Sequence, residues 1–449
     1  MLVFVTGGGS RGDIQSLAIL RPACAFFAAY ALTVATGAEI ARVRVPLLLL
    51  LALAGWMAIQ LVPLPPGLWA LLPGRAAIAA IDRLAGMEGV WRPISLSPSK
   101  TINALGSLVV PAAALLLYAI LTEDARRRIP ALLLAAAAAS ALLGIAQIAS
   151  GAESPFYLYA ITNPGTPVGL FSNRNHNAVF LGSMLVMVAY LMVELRHRGA
   201  RRGPYPMLLL AAAALLLVVT LLVSGSRAGL LVGVLAIGFG FAFHAVATLA
   251  GGSDESRDGA RSRRYFAFAS LGIAALAGLA LLFYQSASID RLVRLSVSDE
   301  LRVQAFPQIV GMARDHWLFG IGFGAFEHVF RGYETSALLR ENYLNNAHDD
   351  WLQWIIEGGL PAALIALAFA VWMGRACLGH WRVRAAAAAR ARLIVCSVVA
   401  LLLLLLASAL DYPLRVPSMM LYAALLTAIV AYPPEKASRG AHRGAVRKG

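Results

Sequence analysis

Charge is scarce in this chain. Asp, Glu, Lys and Arg supply only 14% of its 449 residues, and the 23 acids are outnumbered by 38 Lys and Arg. With 59% hydrophobic residues and a mean hydropathy of +0.72, a soluble fold could not cover so much apolar surface. Cysteine is nearly absent as well. Cys24, Cys377 and Cys396 lie in or near apolar runs without metal-ligand spacing, which reads as small packing residues rather than a metal centre. The apolar runs lack the polar–apolar alternation of a large β-barrel. Gly7-Gly8-Gly9-Ser10 lacks both the Gly-Lys-Ser/Thr ending and the preceding strand of a phosphate loop. The first thirteen residues carry no basic n-region, so no signal peptide is expected.

What is present is a series of apolar runs, each near the length that crosses a bilayer core. Eleven are expected, at about 16–36, 45–62, 104–122, 130–150, 176–195, 206–223, 227–249, 265–285, 351–374, 392–410 and 415–432. An all-α polytopic transmembrane bundle of about 11–12 spans follows, because a helix satisfies its own backbone hydrogen bonds in lipid. The formal charge of +15 could suggest nucleic acid, but its distribution argues for topology instead. Arginines gather in alternate connections: Arg126 to Arg128, then Arg196 to Arg202, then Arg257 to Arg264, then Arg375 to Arg392. A basic tail with Lys436, Arg439, Arg443, Arg447 and Lys448 completes the series. By the positive-inside rule these are cytoplasmic, and the connections near 63–103, 151–175, 224–226, 286–350 and 411–414 face outward. The expected division is an N-terminal bundle (1–285) with outer loop 63–103, a periplasmic catalytic loop (286–350), C-terminal spans (351–433) and a cytoplasmic tail (434–449). Eleven spans would leave the N-terminus outside.

The outer connections hold the polar residues. The 151–175 loop ends in Phe171-Ser172-Asn173-Arg174-Asn175-His176 before a long apolar helix, with Ser172 or Asn173 as its expected N-cap. A helix start with Arg174 suits an anion, and a solvated cap with a snorkelling arginine suits the pattern equally. Arg227 follows the short turn Ser224-Gly225-Ser226, and its small neighbours favour an arginine facing inward. Arg302 lies in a helical stretch of the large outer loop. The glycine-rich turn Gly320-Ile321-Gly322-Phe323-Gly324 is expected to pack its backbone closely over the bundle. His348 opens the next helix, where a helix start disfavours the imidazolium and leaves a neutral base. Asp349, Gln353 and Glu357 fall at i, i+4 and i+8, a polar stripe expected to face a cavity or the bundle interior. Taken alone, the acids at this helix start also suit the macrodipole. Several cations and one base on the same side of a membrane suit a phosphate-bearing, membrane-anchored substrate. No Asp-x-Asp or His/Cys cluster signals a metal, so no cofactor is expected and arginines take the role of charge stabiliser.

The ordered set resembles the O-antigen ligase and polymerase superfamily. It comprises Phe171-Ser172-Asn173-Arg174-Asn175-His176, Ser224-Gly225-Ser226-Arg227, Arg302 before the glycine turn, and His348 with Glu357-Gly358-Gly359. Val62 to Trp69 and Trp91 to Pro98 resemble the same group, so the likeness covers nearly the whole chain. It implies a bacterial inner-membrane glycosyltransferase that moves a glycan from undecaprenyl pyrophosphate to an acceptor hydroxyl at the periplasmic face. The acceptor is lipid A-core in the ligase branch, a second lipid-linked repeat in the polymerase branch, and a protein hydroxyl in another. Catalytic roles carry over to Arg227, Arg302 and His348. Arg174, Asn175, His176 and Asp349 are the substrate-binding candidates, Asp349 also as the residue orienting the histidine ring. Two positions depart from the ligase pattern: Asp349 replaces Asn, Ser or Gln, and Ala362 replaces Gly, Thr or Tyr. The exopolysaccharide and polymerase branches therefore stay open. A lipid-linked glycan flippase is the rival from another class, although its polar site would sit nearer the midplane.

Overall fold

The computed structural model describes residues 1–197, 204–249, 297–339, 344–382 and 388–432. The expected span at 265–285, the arginines at 198–202 and 257–264, and the basic tail lie outside the described residues. Nine described helices are long and apolar enough to cross a membrane, so the chain is a multi-pass all-α membrane protein. A short α1 (Leu2–Thr6) precedes α2 (Leu17–Val34) and α3 (Gly37–Ile59). The run expected at 104–122 begins earlier and is interrupted at Leu108, giving α6 (Pro98–Ser107) and α7 (Val109–Ile120). Next come α8 (Glu123–Ala149), α9 (Arg174–His197), α10 (Tyr205–Ser224) and α11 (Arg227–Leu249). Beyond residue 296 lie α12 (Val297–His316), α13 (Phe326–Phe330), α14 (Asp350–Arg382), α15 (Ala388–Ala407) and α16 (Pro417–Ala431).

The 63–103 connection is also ordered. β1 (Pro63–Leu64) pairs antiparallel with β2 (Arg92–Pro93), and between them sit α4 (Pro66–Trp69) and α5 (Ala76–Leu84). Asp82 takes both arms of Arg92 at 2.8 and 2.6 Å, closing this small unit on itself.

Helix α9 is the centre of the bundle. Its span is 89% buried, as its all-round apolar sequence requires. Gly182 lets α11 approach, because a Cβ there would stand 3.1 Å from Gly233 N and 3.2 Å from Gly229 O. Phe180 of α9 packs on Phe4, Phe171 and Tyr422, which draws α1, the 151–173 loop and α16 onto the same helix.

Helix α14 is broken at Gly359, where φ is 62° and ψ is −160°, with Pro361 following. A break strands carbonyls that lipid could not satisfy. Here the glycine turn fills it, as its sequence leads one to expect. Ile321 N donates to Ile356 O (3.0 Å), Gly322 N to Glu357 O (3.0 Å), and Leu360 N to Leu318 O (3.1 Å). Trp56 Nε1 caps Gly358 O at 2.7 Å, and Gln60 Nε2 reaches Glu357 O at 2.8 Å. A Cβ on Gly359 would lie 2.7 Å from both Gly320 N and Leu318 O. Gly359→Ala is therefore expected to cost about 1–3 kcal/mol, from the left-handed backbone alone, read as a lower unfolding midpoint in detergent.

Candidate functional site

Asp411 organises one end of this bundle. It lies in the connection between α15 and α16 and is 1% exposed. His348 Nδ1 lies 3.1 Å from its Oδ1, Tyr412 N donates to the same oxygen at 3.0 Å, and Asn175 Nδ2 donates to Oδ2 at 2.8 Å. Burial works against ionisation. The His348 hydrogen bond and the positive potential of His176, His348 and Arg302 outweigh it, holding the carboxyl below its ordinary range. An ionised carboxylate only accepts, so Nδ1 of His348 carries a proton, and in the neutral imidazole Nε2 is then the acceptor.

His348 does not sit in the helix that its sequence position suggests. It precedes the cap of α14 with φ 55°, the one non-glycine residue at positive φ among the described residues. Ala347 N donates to Gln353 Oε1 (2.8 Å) and Asp350 N to Ser408 O (2.7 Å), so both flanks of the outlier are pinned. Such a conformation costs on the order of 1–3 kcal/mol and persists where its surroundings impose it. Asp349 accepts from Leu352 N at 3.0 Å and is the N-cap of α14. The carboxylate that orients His348 is thus Asp411, in place of the expected Asp349.

The other expected residues divide. Tyr412 stands between two imidazoles, its ring 4.8 Å from His348 and 4.9 Å from His176. Its phenol is pushed up to about 12 by burial and by Asp411. His176 is fully buried behind it, with no hydrogen-bond partner on either ring nitrogen among the described residues. The expected substrate-binding His176 thus lies buried against Tyr412. Asn175 has its amide committed to Asp411. Asn173 caps α9 by accepting from Asn175 N at 2.8 Å, and Arg174 N donates to Asn163 Oδ1, leaving the Arg174 side chain half-buried at the rim. Arg302, on α12, lies near enough to act electrostatically on Asp411, His176 and Tyr412.

Arg227 opens α11 after the left-handed Gly225. Gly229 two residues on packs against Ala178 of α9, so the small neighbours do admit another helix. Positions two apart point to opposite sides of a helix, and Arg227 is exposed rather than inward-facing. The structure thus brings Arg302, His348, Asn175 and His176 around one carboxylate and leaves Arg227 and Arg174 at the margin.

A second network lies beneath. Arg415 donates to Asp350 Oδ1 (3.2 Å) and Glu357 Oε2 (2.8 Å), and Gln353 Nε2 donates to Glu357 Oε1 (3.0 Å). Gln353 and Glu357 are 1% and 0% exposed, so their part of the polar stripe faces the bundle interior. Sequence reasoning missed Asp411, Tyr412 and Arg415. The available signal was an acid and an arginine in a short turn between two apolar runs. A cavity of about 960 Å³ opens beside this network. Asn345, Asn346, Gln353 and Arg415 line one part; Leu53, Phe369 and Leu401 line the rest, down to Cys377 of α14.

The two outer segments are joined by a buried relay. Arg75, 1% exposed, donates from Nη1 to His316 Nδ1 (3.2 Å). Because arginine only donates, the His316 proton sits on Nε2, which faces Tyr333 Oη at 3.1 Å; Tyr333 donates to Asp315 at 2.8 Å. Burial, then Arg75, lower His316 to about 4 from its ordinary 6.5. The unfolded chain therefore takes up this proton first. The stability from neutral His316 is complete above pH 6.5 and lost as pH falls toward 4. His316→Gln keeps an acceptor for Arg75, and its unfolding midpoint is expected to fall less than wild type between those pH values.

The described helices thus form a many-span membrane bundle with a buried carboxylate–imidazole pair and guanidiniums near it at one end. Residues 212–367 match the family model described as O-antigen ligase, which supports a place in the O-antigen ligase/polymerase superfamily. The match contains Arg227, Arg302 and His348, whereas Asn175, Asp411, Tyr412 and Arg415 lie outside it. No curated protein matches the chain significantly.

Proposed function

We propose that the protein transfers a glycan from undecaprenyl pyrophosphate to an acceptor hydroxyl at the periplasmic face of the inner membrane, as a ligase with lipid A-core as acceptor. The observation that carries this reading is the Asp411–His348 pair, which places a proton on Nδ1 and makes Nε2 the basic nitrogen of the neutral imidazole. Nε2 takes the acceptor proton, the acceptor oxygen forms a bond to the anomeric carbon, and the carbon–phosphate-oxygen bond breaks. The diphosphate leaves with the electron pair. Arg302, with exposed Arg227, meets its developing charge, and no metal or cofactor is required.

The departures at Asp349 and Ala362 support no other branch. Asp349 caps a helix, as Asn or Ser would. Ala362 is buried against Phe323, Leu53 and Met57, away from His348. The arginine-rich connections support an outward-facing His348 end. Purified protein with lipid-linked donor should lose transfer in Arg302→Ala that inserts normally; full turnover there would overturn the assignment. In a deletion strain, intact polymer on the carrier lipid with bare lipid A-core supports the ligase. Single repeat units would instead indicate a polymerase, and donor stranded on the cytoplasmic side a flippase.

A further inference from the structure

The end of the bundle opposite His348 holds a second concentration of charge. Helices α15 and α16 fix its position: Ser408, just past α15, touches Asp350 of the site, while Arg390 and Tyr432 lie at the other ends of the same two helices. A helix of this length covers roughly the 30 Å of a bilayer core, so this cluster stands at the far interface.

Three guanidiniums from three helices converge there on Tyr432, itself 4% exposed. Arg42 Nη1 and Arg126 Nη2 both donate to its hydroxyl oxygen, at 2.5 and 2.7 Å. The same two arginines stand over its ring, 4.7 and 3.8 Å from the centroid. Arg390 donates from Nη2 to Ile429 O (2.8 Å) and Tyr432 O (3.0 Å), and from Nη1 to Tyr118 Oη (3.4 Å). Part of this is helix capping, since Arg126 also donates to Tyr118 O and Ala119 O at the end of α7.

Capping does not balance the charge. Two cations share one neutral phenol oxygen and a third lies beside them; Glu39 acts on Arg42 and Arg126 from a distance, without an ion pair to either. Each neighbouring acid is engaged elsewhere. Glu39 caps α3 through Thr36, Glu123 pairs with Arg127, and Glu194 pairs with Arg392. Asp124 is exposed, and no carboxylate among the described residues lies within ion-pair distance of Arg42, Arg126 or Arg390. Nη2 of Arg42, Nη1 of Arg126 and Nε of Arg390 have no acceptor among the described residues.

We infer that Arg42, Arg126 and Arg390, held by Tyr432, form a phosphate-binding site for the headgroup of an anionic phospholipid in the leaflet opposite the transfer site. A phosphate diester offers the acceptor oxygens these donors lack, and planar guanidiniums match its geometry. Basic pockets between spans on the cytoplasmic side take such headgroups. The inference does not depend on the transfer reaction.

The test is the thermal unfolding midpoint of full-length protein in mixed micelles containing phosphatidylglycerol or phosphatidylcholine. Parallel samples receive inorganic phosphate, or oleate as an anion without phosphate. Phosphatidylglycerol is expected to raise the wild-type midpoint by several degrees over phosphatidylcholine. Arg42→Gln, which spares every main-chain bond, should lose at least half of that rise, and R42Q/R126Q all of it. Inorganic phosphate matching the lipid would keep the site and assign it to a free anion. A wild type indifferent to both phosphate sources, oleate as effective as phosphatidylglycerol, or R42Q/R126Q with a full response would overturn the inference.

Discussion

His348→Asn is expected to reduce glycan transfer by on the order of 10²–10⁴-fold while leaving the fold near wild-type stability. Asparagine is among the residues that enter the left-handed region, so φ 55° is accessible to it. Its amide N–H also replaces the donor that Asp411 receives at 3.1 Å. What it lacks is a titratable lone pair. His348→Ala makes the contrast, because it leaves the buried carboxylate one donor short at a cost of about 1–3 kcal/mol. Unfolding midpoints and turnover measured on the same preparations separate the two effects. Wild-type turnover in the Asn variant would remove His348 as the base.

Asp411→Asn should cost nearly as much activity for a different reason. An amide facing Nδ1 donates where the carboxylate accepted, which moves the imidazole proton to Nε2 and blocks the base; the same change in an Asp–His pair elsewhere costs roughly 10⁴-fold. The loss should appear in kcat, with donor KM little altered. Stability gives an independent readout. Asp411 has a folded value below its ordinary 3.8, so its contribution is complete above that pH and fades as pH falls further. The variant should melt below wild type at neutral pH, and the gap should close in acid.

How much of this was legible varies by residue. Nine of the eleven expected spans were, because a bilayer imposes one physical demand on every crossing segment, whereas 415–432 forms the shorter Pro417–Ala431 and 265–285 lies outside the described residues; Gln353 and Glu357 were readable from helical spacing alone. The glycine turn also declared its role, since alternating glycines suit backbone-to-backbone packing. Asp411 was not legible, being 63 residues from His348 and written into Asp-Tyr-Pro-Leu-Arg, which reads locally as an ordinary turn. Arg415 was counted as the first residue of a span, although it neutralises Asp350 and Glu357. For Arg227 the small neighbours were read correctly, but the side of the helix was not, because packing of Gly229 on α9 decides it.

The break at Gly359 has a mechanical consequence. Helix α14 is two arms joined at Gly359, and the same segment grips both: Ile321 and Gly322 hold the upper arm, and Leu318 holds Leu360 at the start of the lower one. Bilayers of different thickness tilt long helices, and a straight α14 would carry that tilt directly into His348. With Leu360 tied to Leu318 and Trp354 Nε1 donating to Ala362 O across the break (2.8 Å), the junction is clamped, so tilt is taken up further along α14 while the base keeps its aim.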